Sequence, residues 1–139
     1  MSEKTKDIIT IISVYCGSIL LALILAPVGG ALHRFFWEFK GCDIFIGLCD
    51  ERAVTEGFVY FYIFLLAIFS FAIFIQKKAW KVYLIGTFLF WLLSILFIIT
   101  DFDKYALQDN IGFLILMLCL LAVGYGIGIG IKKLIKNKN

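Results

Sequence analysis

Residues 111–131, "IGFLILMLCLLAVGYGIGIGI", decide the fold of this chain. Within them Val123-Gly124-Tyr125-Gly126 repeats most of the Thr-Val-Gly-Tyr-Gly filter of potassium channels, and glycine recurs at 124, 126, 128 and 130. A filter needs an extended loop between a pore helix and a further span, so that backbone carbonyls line the ion path. Here the threonine is replaced by Ala122, and only a few apolar residues separate Gly126 from Lys132 and Lys133. The stretch therefore reads as the end of a helix that crosses a membrane. As a helix, Gly124 and Gly128 share one face, while Gly126 and Gly130 share another about 160° away. Each pair is a Gly-x-x-x-Gly surface that lets two helix backbones approach closely. Both faces are expected to serve the bundle itself, the alternative being one face for the bundle and one for a partner, with a local kink where glycine weakens the helix.

Three more apolar runs match it, giving spans at about 8–28, 57–75, 82–100 and 111–131, each near the 20 residues a helix needs to cross a bilayer. With 63% hydrophobic and 17% charged residues, the chain lies outside the composition of water-soluble domains. The expected fold is a single all-α membrane domain over residues 1–139, an antiparallel bundle of four transmembrane helices. The first span follows a short charged segment and precedes Gly29-Gly30-Ala31, but its apolar stretch exceeds an ordinary signal core. It is read as an uncleaved anchor.

Charge sets the expected orientation, because Lys and Arg in short loops are retained on the cytoplasmic side. With the N-terminus cytoplasmic, nine of the 13 basic residues fall inside: Lys4, Lys6, Lys77, Lys78, Lys81, Lys132, Lys133, Lys136 and Lys138. Eight of the ten acids fall in the outer loops 29–56 and 101–110. Both termini are thus expected in the cytoplasm of a cell whose inner membrane holds the protein. The basic inner rim suits anionic lipid headgroups, and the net charge of +3 carries no argument for nucleic acid. Residues 76–81 are expected to be the tight inner turn between the second and third spans.

The long outer loop carries the most specific pattern. Leu32, Phe35, Phe36 and Phe39 recur at helical spacing with Trp37 beside them, which predicts a short interfacial helix after the break at Pro27 and Gly29-Gly30. Further on, Cys42 and Cys49 stand seven positions apart on the side where thiols are oxidised. On one helix they would lie about 10 Å apart, beyond the roughly 7 Å between alpha carbons that a disulfide tolerates. Gly41 and Gly47 permit a reversal, so a disulfide-closed loop is expected. Cys16 and Cys119 fall inside spans as packing residues.

Catalytic constellations are sparse. His33 is the single histidine, which excludes a two-imidazole haem site within one chain and leaves the span serines without a base. None of the four predicted spans contains Asp, Glu, Lys, Arg or His, whereas coupled transporters place such groups inside the bilayer. No cofactor, metal or catalytic residue is assigned. In its four-span topology the chain resembles the bacterial disulfide-generating quinone oxidoreductases, which would make Cys42 and Cys49 a redox pair. That family has Cys-x-x-Cys and a second outer pair, but here six residues separate the cysteines and none lies in 101–110. In length, cytoplasmic ends and lack of catalytic residues it resembles the small four-span immunity proteins that protect bacteria from pore-forming colicins. That resemblance implies capture of an inserted toxin hairpin by helix-helix contact. The expected function is therefore non-enzymatic association with another membrane protein, as subunit, modulator or immunity factor. A small oligomeric channel or transporter is the main alternative, and thiol-disulfide exchange a minor one.

Overall fold

The computed structural model describes the backbone of residues 3–37, 51–100 and 104–138, with the side chains of 3–29, 55–96, 99–100 and 111–137. All of its regular structure is helical: α1 (Glu3–Trp37), α2 (Glu51–Ile73), α3 (Gln76–Thr100) and α4 (Lys104–Lys138). Each contains a stretch long and apolar enough to cross a membrane, at Glu3–Gly29, Thr55–Ile73, Gln76–Leu96 and Ile111–Asn137. The four expected spans are present, and three expected boundaries move.

First, α1 runs without interruption through Pro27, Gly29 and Gly30 to Trp37. Leu32, Phe35, Phe36 and Trp37 thus continue α1 instead of starting a separate helix, while Phe39, Cys42 and Cys49 lie outside the described residues. Proline and glycine are tolerated inside membrane helices because neighbouring groups satisfy the freed backbone atoms. Second, the α2–α3 turn is Phe74-Ile75, and residues 76–81 are the first turns of α3. Two backbone bonds hold this corner: the Phe74 N–H donates to the Ser70 carbonyl at 3.0 Å and the Ala79 N–H to the Ile75 carbonyl at 2.8 Å. Third, α4 begins at Lys104, inside the expected 101–110 link, and extends to Lys138 without a break at its four glycines. Apolar runs mark only the hydrocarbon crossing; Lys, Ala, Leu and Gln at the flanks favour helix and prolong it. At 35 residues each, α1 and α4 extend about 52 Å.

The chain forms two compact units, Met1–Leu66 and Ala67–Asn139, whose boundary falls within α2. In the first, α1 buries Val14, Ser18, Ala22 and Ala26, a four-residue series of mostly small side chains, and then Gly29. Gly29 meets α2 backbone to backbone: a Cβ built on it would stand 2.5 Å from Gly57 Cα and 2.7 Å from the Gly57 carbonyl oxygen. Tyr60, Tyr62, Ile63 and Leu66 supply the larger buried groups, with Phe58 stacked on Tyr62 at 5.9 Å.

In the second unit an aromatic cluster occupies the region of the α2–α3 corner. Phe71 meets Trp80 edge-on at 4.9 Å and Tyr125 edge-on at 4.7 Å. Trp80 lies 6.1 Å from Tyr125 and 6.2 Å from Tyr83, which is fully buried. These are the offset and edge geometries that the ring quadrupole favours. They tie the last turns of α2, the first turns of α3 and the glycine-rich part of α4 into one packed centre. Farther along α3, Thr87 donates to the Tyr83 carbonyl at 2.9 Å and accepts from the Trp91 indole at 3.1 Å.

Candidate functional site

The glycine-rich segment of α4 presents two different faces. Gly124 and Gly128 are buried, and a Cβ on Gly128 would stand 2.8 Å from the Ile68 carbonyl oxygen and 3.0 Å from Phe71 Cβ. Only glycine permits that approach without moving α2 or α4, as expected of a Gly-x-x-x-Gly contact. Tyr125 rises beside it to close on Phe71.

Gly126 and Gly130 differ. Both are exposed, and a Cβ built on either meets nothing within 4 Å. Ala122 continues this face four residues earlier and Cys119 borders it, both exposed as well. Ala122, Gly126 and Gly130 thus make a shallow small-residue track on α4, flanked by exposed Val123 and Ile127. A second helix laid on such a track gains van der Waals contact and close backbone approach. Ala122 was legible at the same four-residue spacing as the glycines, once the pattern is read as small residues rather than glycine alone.

Beyond the track, the α4 end carries lysine. Lys132 donates from Nζ to the Phe74 carbonyl, which the end of α2 leaves without an intrahelical partner. Lys78 places its Nζ 5.2 Å from the centre of the Phe74 ring, a cation-π distance. Between these groups opens a cleft of about 270 Å³ floored by Phe71, Phe74, Tyr125 and Ile129 and rimmed by Gln76, Lys132, Lys133 and Lys136. The charge pattern announced a basic rim, but the cleft depends on the two-residue turn and on Tyr125 closing over Phe71, which spacing alone does not reveal.

The remaining candidates are separate. Cys16 and Cys119 are free thiols on exposed positions. Among the described residues no group of three His, Cys, Asp or Glu could hold a metal ion. No protein-family model matches this chain, and no curated protein or solved structure matches it significantly.

Proposed function

We propose that this chain is a non-enzymatic integral membrane protein that works by helix-helix association with another membrane protein. It crosses the inner membrane four times as an antiparallel bundle, with both termini in the cytoplasm and residues 29–56 and 101–110, including the helix ends they contain, outside, a reading supported by the distribution of lysine. The segment 32–39 lies at the outer headgroup level, and Cys42 and Cys49 close a disulfide loop after it. A subunit, a modulator and a colicin-type immunity factor all fit this mode of action.

One observation carries the reading. The track Ala122, Gly126 and Gly130 is open along a helix whose Gly124 is buried and whose Gly128 is already used in packing. Four glycines each cost helix stability, up to about 1 kcal/mol relative to alanine. Gly128 has an internal reason to be small; Gly126 and Gly130 have a reason only when another helix covers them. The same track also suits self-association, which is the route to the alternative, an oligomeric channel.

The deciding experiment is purification of the full chain in mild detergent, followed by identification of what accompanies it. A stoichiometric foreign membrane protein, lost from the Gly126→Leu/Gly130→Leu variant while the variant still elutes as folded protein, is the expected result. A homo-oligomer that conducts ions in liposomes would replace this reading with the channel.

A further inference from the structure

The cleft at the α2–α3 corner has the composition of an amphiphile site. Its floor is aromatic and aliphatic, from Phe71, Phe74, Tyr125 and Ile129, and its rim is Gln76 with three lysines. Two nearby cations are already engaged, Lys132 by the Phe74 carbonyl and Lys78 by the Phe74 ring. Lys133 and Lys136 line the same cleft, are exposed, and form no ion pair or hydrogen bond among the described residues. Their own unit, Ala67–Asn139, places no acid in the cleft lining. From Gly57 to the last residue the acids are Asp101, Asp103 and Asp109 alone, all later in sequence than Thr100, the end of α3, which lies about 36 Å from Gln76 along the helix. That separation is several times the screening length of about 8 Å. The N-terminus of α3, which starts at Gln76 on the same rim, adds the positive end of a helix dipole.

We propose that this cleft binds one anionic phospholipid, with the phosphodiester between Lys133 and Lys136 and the first part of its acyl chains on Tyr125 and Ile129. Positive charge alone would suit any phosphate. The apolar floor selects an anion that carries hydrocarbon, and a membrane span ending at the cleft supplies one at the right depth. Lys132 has a different task, closing the end of α2, so it orients the rim while its two neighbours hold the ligand. The proposal requires only that the helices lie in a bilayer, and it stands or falls separately from the association face on Gly126 and Gly130.

The test is native mass spectrometry of the full chain released from nanodiscs of mixed phosphatidylglycerol and phosphatidylcholine. The wild type should retain one phosphatidylglycerol in preference to phosphatidylcholine. Lys133→Gln/Lys136→Gln should lower that preference roughly thirtyfold, the scale of two lysines acting near a phosphate. Lys77→Gln/Lys81→Gln, which removes the same charge from exposed positions of α3 outside the cleft, should leave it nearly unchanged. Helix content by circular dichroism identifies a variant that has not folded, and Lys136→Arg, which keeps the charge, should then retain the lipid. Equal loss from both double variants would overturn the site in favour of diffuse surface attraction. Absence of any preference in the wild type would overturn it outright, and release of the lipid by millimolar inorganic phosphate would overturn the assignment to a lipid.

Discussion

Gly29 of α1 and Gly57 of α2 touch through their backbones, with no room for a methyl group on Gly29. The contact follows a buried series of small residues, Ser18, Ala22 and Ala26, so α1 presents a narrow face throughout this stretch. Lipid tails are as apolar as leucine side chains, which leaves close packing, rather than removal from water, to hold membrane helices together.

Gly29→Ala should therefore destabilise the fold by about 1–3 kcal/mol, the usual result of overpacking a tight contact. Gly17 is the internal comparison: a Cβ there meets nothing within 4 Å. Gly17→Ala should be neutral or stabilising by up to about 1 kcal/mol, because alanine favours helix. Reversible unfolding of both variants by denaturing detergent, followed by circular dichroism, measures the difference. Equal stability of the two would show that the glycine contact contributes nothing.

The glycines of α4 allow the same comparison within one helix. Gly128→Ala pushes against the Ile68 carbonyl and Phe71, whereas Gly126→Ala enters open space. The first should lower monomer stability by about 1–3 kcal/mol and the second should raise it by up to about 1 kcal/mol. Opposite signs at positions only two residues apart are the expected outcome in the same unfolding assay. Loss of stability in both would mean that Gly126 is packed in the folded monomer.

Much of this architecture is legible in the sequence because a bilayer imposes one dominant length scale. Four apolar runs became four helices. Helix ends were not legible: α1 passes Pro27 and Gly29-Gly30 and includes Trp37, although those residues signal a break in water-soluble proteins. In a membrane the backbone has no water to turn to, so a weak helix former still stays helical. Gly29 consequently acts as a contact and not as a hinge. The lysine cleft escaped for another reason. Phe71, Tyr125 and Lys132 are distant in sequence, and only the turn at Phe74-Ile75 brings the end of α2 to the lysines of α4.

Thr87 offers a test of polar packing inside α3. Its hydroxyl donates to the Tyr83 carbonyl and accepts from the Trp91 indole, and the side chain is fully buried. Thr87→Val keeps the shape and removes both bonds. The expected cost is about 1 kcal/mol, the scale of side-chain hydrogen bonds within membrane proteins. The indole N–H resonance of Trp91 in a two-dimensional NMR spectrum should move while those of Trp37 and Trp80 stay in place. An unmoved Trp91 signal would show that this indole does not use Thr87.

Cys119 borders the open track and is a free thiol, so it reports directly on what covers that face. In a symmetric pair of α4 helices crossing at Ala122, Gly126 and Gly130, the two Cys119 thiols would lie close to the crossing and oxidise to a linked dimer. A foreign helix on the same track would keep them apart. Under the proposed function, oxidation of a Cys16→Ser variant in native membranes with copper phenanthroline should yield monomer. The purified chain, stripped of its partner and concentrated in liposomes, should begin to form the Cys119-linked dimer, because the uncovered track then finds a second copy. Gly126→Leu should abolish that dimer. Abundant dimer already present in native membranes would instead identify the track as a self-association surface and favour the oligomeric channel.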